Sequence, residues 1–479
     1  MGPDKGHTRP MVDKRKTICL FCSLGCGVAF RTSAGEITAI DYDKENPVNL
    51  GSLCPRGYYN LELINHPQRL THPQIGKNIV SWDQAISFAR RELKKFDPSS
   101  IGIALSSMAT NEDAYSACLL ADSLGTKNIS SQGDPSDIEA FKGNTWSVEG
   151  AFPENIERIG GSEALLIIGD VLTRSPVLSK RINQVKYGKR GNQVIVIDPN
   201  ASHTSWFATT HLKNRPGTEA SLMAAIVNVI SQANKRGNID IDLNKVSQTA
   251  GISVEAMTRA AEAFDDAESG TIIFSPSMNI QRNDLVQYFA KLASSFSINK
   301  KHITFHSSGN ALGVNTIINS IIEGRSDITG NTKALITFGD EIAAPGADLT
   351  IRSSFFMPDK LDKNTVLLPS ASHIERKGTV TLAGGREETL KPIAHRIGSM
   401  SAFKIMALLT GSKAEFDKVL IGTENVLSKG IKEEKVDMNQ KIAEAQNIMT
   451  QGPAKPENIS HFGDNGLVKR FFWYRVNNG

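Results

Sequence analysis

The sequence predicts an α/β protein: a small cysteine-bearing N-terminal domain followed by two α/β domains with parallel sheets. Three observations carry that expectation. Apolar strand-like runs at 163–176 and 193–200 flank a basic amphipathic stretch, the same alternation returns over 270–352, and residues 19–54 hold four of the five cysteines. At 479 residues the chain is too long for a single core and reads as several domains in contact.

The cysteines come first in the chain. "ICLFCSLGCGVAF" (18–30) places Cys19, Cys22 and Cys26 on one tight loop, and "GSLCPRGYY" supplies Cys54. The spacing Cys-x2-Cys-x3-Cys-x27-Cys suits a single [4Fe-4S] cluster, which needs four thiolates arriving from different directions. Ser23, Gly25 and Gly27 lie among the ligands, and small residues let backbone N–H groups approach the sulfurs. "GEITAIDYD" alternates like a hairpin strand that folds the fourth ligand back. The competing reading is a zinc ribbon, whose knuckles are usually Cys-x2-Cys pairs. Cys118, among helix-forming apolar residues, reads as a buried core thiol. Arg56, two residues beyond Cys54, either places a permanent cation beside the cluster or is a solvated surface arginine.

Composition excludes several classes. A net charge of +4 from 54 basic and 50 acidic residues is too small for a polyanion surface, so no nucleic-acid partner is expected. No run of eighteen apolar residues exists, so no direct membrane insertion is expected. The first sixteen residues have neither an apolar core nor a twin-arginine pair, which predicts a cytoplasmic protein. Five cysteines in a chain of this size do not form a disulfide framework.

The expected organisation is a disordered or extraneous lead at 1–15, the cluster domain at 16–75, an α/β domain at 76–265, a second at 266–352, a return to the first at 353–412, and a helical extension with an interface tail at 413–479. Within the first α/β domain, "EALLIIGDVLTRSP" and "QVIVIDPN" with the stretch between them make one βαβ crossover, hence a parallel sheet. Ligands of such sheets bind beyond the carboxyl ends of the strands, so Gly169, Asp170, Asp198 and Pro199 are expected to face a nucleotide-like group, or else to be ordinary turns. No GxGxxG fingerprint follows either strand, which argues against NAD or flavin here. "GTIIFSPSM", "KHITFHSSGNALG" and "KALITFGDEI", with the helix "DLVQYFAKLASSF", are assigned to the second domain. His302 and His306 share a strand face there, but a pair is too few for a metal site.

Several of these stretches, in order, resemble the molybdopterin oxidoreductases, especially cytoplasmic formate dehydrogenase large subunits and the large iron–sulfur subunit of respiratory complex I. The stretches are "CLFCSLGCGVAF", "GSLCPRGYYNLELINHPQRLTHPQI", "ALLIIGDVLTRSPVLSKRI", "VIVIDPNASHTSWFATTHLKNRPGTEASLM", "ALITFGDEIAAPGADL" and "VLLPSASHIERKGTVTLAGG". The likeness covers roughly 16–412. It implies that Arg56 lies between the cluster and a pterin cofactor, assisting electron passage. It also implies that the strand ends at 169–170 and 198–199 contact one guanine dinucleotide of a molybdopterin cofactor, and that "RPGTEASLM", with Gly217 and Thr218, supplies another wall.

Two departures from the family matter. Where formate dehydrogenases carry a metal-ligating cysteine or selenocysteine followed by histidine, this sequence reads "NISSQGDPSDIEAF". Asp134, Ser136 and Asp137 are the weak oxygen candidates for a metal ligand there, against an ordinary helix cap. The second departure is length: the likeness stops near 412, so the closing C-terminal β-barrel domain is expected to be missing. The final "VKRFFWYRV" (468–476) crowds four aromatics beside three basic residues and reads as an interface segment.

The expected function is that of a [4Fe-4S] electron-transfer subunit of a multi-subunit oxidoreductase. It would work beside other redox subunits carrying iron–sulfur clusters or flavin, without its own molybdenum or tungsten site. One alternative is a catalytic subunit of formate dehydrogenase type, binding molybdopterin guanine dinucleotide with Mo or W, whose closing domain lies on another chain. A further alternative is a structural scaffold.

Overall fold

The computed structural model describes residues 13–451 apart from 34–35, 65, 238, 326–327, 329–330, 340–346, 359–360, 362, 395–397 and 414. The N-terminal domain is an antiparallel sheet of β1 (Asp13–Ile18), β2 (Gly27–Ser33) and β3 (Glu36–Tyr42), followed by the short helices Pro55–Tyr58 and Asn60–Ile64. The chain then enters a first large sheet with β4 (Gln74–Ile75), β5 (Asn78–Ile79), β6 (Ile101–Ser106) and β7 (Ile129–Gln132). It leaves for a second with β8 (Ala164–Ile168), β9 (Gln193–Ile197), β10 (Thr210–Leu212), β11 (Gly270–Phe274) and β12 (Lys300–Thr304). It returns to the first with β13 (Ala334–Phe338), β14 (Leu349–Ser354) and β15 (Thr365–Pro369), then forms the hairpin β16 (Gly378–Thr381) and β17 (Glu387–Leu390).

The first sheet runs β5-β4-β15-β14-β13-β6-β7 and the second β10-β9-β8-β11-β12. All pairings are parallel except those of β4 with β5 and β15. Parallel sheets are covered by helices on both faces, which is why β6, β8, β11, β13 and β15 are buried along their whole length. Helix ends follow local chemistry. Ser81 with Gln84 and Thr110 with Asp113 form capping boxes at the starts of Trp82–Leu93 and Asn111–Leu124, and Gly125 ends the latter in the left-handed region.

The partition expected at 265/266 is corrected by the sheets. β11 and β12 join β8 rather than forming a separate domain, with Gly270 opposite Ala164 and Phe274 opposite Ile168. β13, expected with them, pairs with β6. Periodicity identifies a strand but not its neighbour, and here both domain changes occur in long crossovers that look like any other βα connection. His302 and His306 are also separated. His302 is inside β12 against Ser294 (3.2 Å), whereas His306 lies past the strand end facing Asp137.

After β17 come the helices Ala402–Thr410, Phe416–Leu427 and Met438–Gln451. The last packs on Glu219–Asn234, where the Ser221 hydroxyl donates to the Ala445 carbonyl at 2.8 Å. No closed barrel occurs among the described residues, and the aromatic segment at 468–476 lies outside them.

Candidate metal centre

The cysteine loop is the tip of the β1–β2 hairpin. Ile18 pairs with Gly27, and the Cys19 N–H donates to the Cys26 carbonyl at 2.9 Å, closing a loop that carries three thiols. Gly25 turns it at φ +64°, a conformation L side chains rarely adopt, and a Cβ there would sit 2.3 Å from Leu382 Cδ1 and 2.7 Å from Arg386 Nη2, displacing both side chains. The fourth thiol is returned by Asn49, which is fully buried. Its Oδ1 accepts from the Gly27 N–H at 3.0 Å, and its Nδ2 donates to the carbonyls of Gly27 (3.1 Å) and Ser52 (2.7 Å). Cys54 then occupies the N-cap of Pro55–Tyr58.

The thiols of Cys19, Cys22 and Cys26 belong to one buried cluster, with Cys54 packed against it. Burial pushes the Cys19 thiol up to about 12, with the charges of Cys54 and Cys22 adding to the effect. Burial likewise raises Cys22, and raises Cys26 further with Cys22, Cys19 and Cys54 contributing. A dry site that holds mutually repelling thiolates calls for compensating positive charge, the condition a metal cluster meets. Groups favouring the ionised form are in place: Asn60 and the Phe21 backbone at Cys19, Arg56, Ser175 and the Leu24 backbone at Cys22, and Arg386 at Cys26. The Ser175 hydroxyl is buried and faces Cys22, so its donor is available to a ligand-bound sulfur. Among the described residues no three His, Cys, Asp or Glu side chains are grouped to hold one metal ion. Four thiols, three of them buried, make a donor set that fits a four-thiolate cluster.

The loop is clasped from three directions. The Ser23 N–H donates to the His306 carbonyl (3.1 Å) and the Ser23 hydroxyl accepts from the His306 N–H (2.8 Å), while the Gly309 N–H donates to the Leu20 carbonyl (3.0 Å). From the β16–β17 turn, the Ala383 N–H donates to the Ser23 carbonyl (3.0 Å). From the third side, Arg56 donates to the carbonyls of Phe21 (3.3 Å) and Arg174, so it spans from the cysteine loop to the segment after β8. Asn49, Asn60, Ser175 and Arg386 escaped sequence reasoning. None stands at a motif spacing, although the paired glycines before Arg386 mark its turn.

Asp134, Ser136 and Asp137 face inward but are engaged by protein groups. Asp134 caps the helix Pro135–Thr145, its Oδ1 accepting from the Ser136 N–H (2.9 Å) and hydroxyl (2.5 Å), and its Oδ2 pairs with Arg174 at 2.6 Å. Asp137 Oδ2 accepts from the Ser307 N–H (2.9 Å) and hydroxyl (2.5 Å), and Oδ1 faces His306 Nδ1 at 3.4 Å. Burial pushes the Asp137 carboxyl up, but His306, Arg174 and Ser307 outweigh it and hold the carboxyl below its usual range.

The expected nucleotide residues lie at the carboxyl ends of β8 and β9 and the start of Glu219–Asn234. β8 and β11 are adjacent where the strand order reverses, and Gly169 (φ +83°) lets the chain pass Ser275, whose carbonyl would be 2.6 Å from a Cβ. Asp170 is engaged locally, accepting from the hydroxyls of Thr173 (2.5 Å) and Thr204 (2.6 Å). Asp198 is buried beside half-buried Pro199, and burial raises its carboxyl. Gly217 and Thr218 are buried, and the Thr218 hydroxyl donates to the Arg215 carbonyl at 2.6 Å. Sequence reasoning passed over Glu219. Its Oε1 accepts from Asn214 at 3.0 Å, its Oε2 is buried without a partner, and burial pushes its carboxyl up to about 7.

Comparison with known proteins agrees with this layout. The molybdopterin oxidoreductase family model matches residues 69–405, and that of the molybdopterin oxidoreductase Fe4S4 domain matches 12–66. The chain belongs to the molybdopterin oxidoreductase family. Among molybdopterin oxidoreductase relatives, it is 28% identical over 282 residues to a formate dehydrogenase alpha subunit of Methanococcus maripaludis, covering 54% of this chain and 41% of the relative. It is 31% identical over 231 residues to a nitrate reductase of Symbiobacterium thermophilum, covering 45% of this chain and 30% of the relative. The chain thus spans less than half the length of these relatives. The fold is that of acetylene hydratase from Pelobacter acetylenicus, with a TM-score of 0.60 at 18% identity over 87% of this chain and 70% of that one. No helix among the described residues is long and apolar enough to cross a membrane.

Proposed function

We propose that this chain is an electron-relay subunit of an oxidoreductase complex, with one [4Fe-4S] cluster held by Cys19, Cys22, Cys26 and Cys54 and without a molybdenum or tungsten centre of its own. The supporting observation is a contrast between two neighbouring sets of side chains. The thiols retain their clasp and their neighbouring cations, while Asp134, Ser136 and Asp137 are engaged by Arg174, their own helix, Ser307 and His306.

When bound, the cluster supplies a site that takes up and returns one electron. The protein's own part is to exclude water and fix charge. Cys19, Cys22 and Cys26 are buried and Cys54 is half-buried, which makes the Cys54 side the closest approach for a partner. Arg56 holds a permanent positive charge beside Cys22, favouring its thiolate and linking the cysteine loop to the segment after β8. Electrons must both enter and leave, so a redox subunit carrying clusters or flavin docks beside residues 16–75.

A second reading is favoured by Glu219. A buried carboxylate oxygen without a hydrogen-bond partner, near Asp198 at the carboxyl end of β9 in a parallel sheet, suits a ligand rich in N–H groups such as the guanine of a pterin dinucleotide. Metal and nucleotide analysis of protein purified without air, together with its co-purifying chains, separates the two. About four irons per chain with no molybdenum, tungsten or bound guanine nucleotide is expected for the relay. Stoichiometric molybdenum or tungsten would overturn it in favour of the pterin enzyme.

A further inference from the structure

Arg56 is one cation at the cysteine loop, and the structure holds a second, supplied from more than three hundred residues later. Arg386 sits at the end of the β16–β17 turn, where Gly384 (φ 74°) and Gly385 (φ 78°) bend the chain and the Leu382 N–H donates to the Arg386 carbonyl at 2.8 Å. Its Nη2 donates to the carbonyls of Leu24 (2.8 Å) and Gly25 (3.2 Å), between Cys22 and Cys26, and Nη1 pairs with Glu388. Its Nε is buried with no hydrogen-bond partner. An N–H left unpaired inside a protein is costly, and the guanidinium seated on the Leu24 and Gly25 carbonyls carries a charge that favours the Cys26 thiolate.

The hairpin that carries Arg386 is rigidly seated. Glu112 accepts from the Thr379 N–H and hydroxyl, both at 2.8 Å. Val380, Leu382 and Leu390 pack on Ile18 and Leu20 at the base of the cysteine loop. Arg56 and Arg386 approach different parts of the loop, one at the Phe21 carbonyl and one at those of Leu24 and Gly25.

We propose that Arg386 sets the reduction potential of the cluster, its guanidinium stabilising the more negative reduced state through the Cys26 side of the loop, with Glu388 moderating that charge. This rests on the cluster reading above. The redox change itself is the gain of one electron by the cluster from a reduced iron–sulfur cluster or flavin of the partner subunit, which is oxidised by one electron, with no bond made or broken. Removal of the cation lowers the midpoint, and removal of the carboxylate beside it raises the midpoint.

The test is an equilibrium redox measurement followed by electron paramagnetic resonance on the full chain and its Arg386→Gln, Arg386→Lys and Glu388→Gln variants, each with its iron counted. Arg386→Gln is expected to shift the reduced-to-oxidised ratio at fixed ambient potential about tenfold toward the oxidised state, about 59 mV for a one-electron couple. Arg386→Lys keeps the charge and recovers most of that shift, and Glu388→Gln moves the ratio the other way by about threefold. An Arg386→Gln protein with full iron and an unmoved midpoint overturns the proposal. Should that variant lose its iron, Glu388→Gln decides, and an unmoved or lowered midpoint there overturns it equally. An unmodified chain purified without iron would overturn the cluster reading and this proposal together, a result distinct from an unshifted midpoint.

Discussion

Arg174 and Asp134 form an ion pair at 2.6 Å whose members belong to different parts of the molecule. Asp134 caps a helix that follows β7 of the first sheet, whereas Arg174 follows β8 of the second and receives Arg56 of the N-terminal domain on its carbonyl. Through Arg174 these two contacts join all three domains.

Asp134→Ala removes a cap and leaves a largely buried guanidinium without this partner, which should destabilise the chain by about 2–4 kcal/mol. Iron content is expected to stay unchanged. Denaturant midpoints and elemental analysis check both, and a parent chain whose molybdenum disappears in the variant would show that Asp134 is a ligand after all.

Cys54→Ser and Cys118→Ser should behave as opposites. The first is expected to lose most iron and all electron throughput of the assembled complex. Cys118 is buried in Asn111–Leu124, its thiol raised to about 12 by burial alone, so its replacement should keep full iron at about 1–2 kcal/mol for the buried hydroxyl. Normal throughput in the Cys54 variant would end the relay idea.

Gly309→Ala tests the clasp. A Cβ there would lie 2.7 Å from both Cα and O of Leu20, backbone that cannot step aside without moving the cysteine loop. Cluster occupancy should fall severalfold although no ligand is changed. Gly161, whose Cβ would meet nothing within 4 Å, is the control, and equal iron in both alanine variants would contradict the contact.

Acid sensitivity should come from His302 and His373. Burial holds both down to about 3 from an ordinary 6.5, with Lys291 and Arg376 adding to the effect. The unfolded chain gains protons below pH 6.5 that the folded chain refuses, so stability is complete above that value and is lost as pH falls toward 3. At pH 5 each histidine costs about 2 kcal/mol. Glu219, raised to about 7 from 4.5, acts oppositely: its contribution is complete below 4.5 and is lost as pH rises through 7. In a His302→Gln, His373→Gln protein the urea midpoint at pH 5 should rise relative to that at pH 7.5, leaving the opposite dependence of Glu219; an unmoved difference would place the acid response elsewhere.

Much of this was legible from residue pattern. The βαβ run through β8 and β9 is a continuous apolar strand, a basic helix and a second apolar strand, and such runs announce a parallel sheet. The cysteine spacing likewise announces its loop. Strand partnership was not legible, because β11 and β13 have equally apolar sequences and only three-dimensional packing sends one to β8 and the other to β6. Asn49 and Arg386 were hidden for a related reason: each acts on the loop across 22 residues or more, and nothing in the local sequence names its target.

The three-way clasp has a consequence for how the protein is made. Leu20, Ser23 and Leu24 wait for Gly309, Ala383 and Arg386 respectively, which leave the ribosome hundreds of residues after them. A nascent chain therefore exposes its thiols through most of synthesis and roofs three of them over only at the end. Delivery of iron and sulfide is in this molecule a question of timing: donors that arrive after the β16–β17 hairpin has seated must work from the half-open flank at Cys54, or wait for the roof to lift.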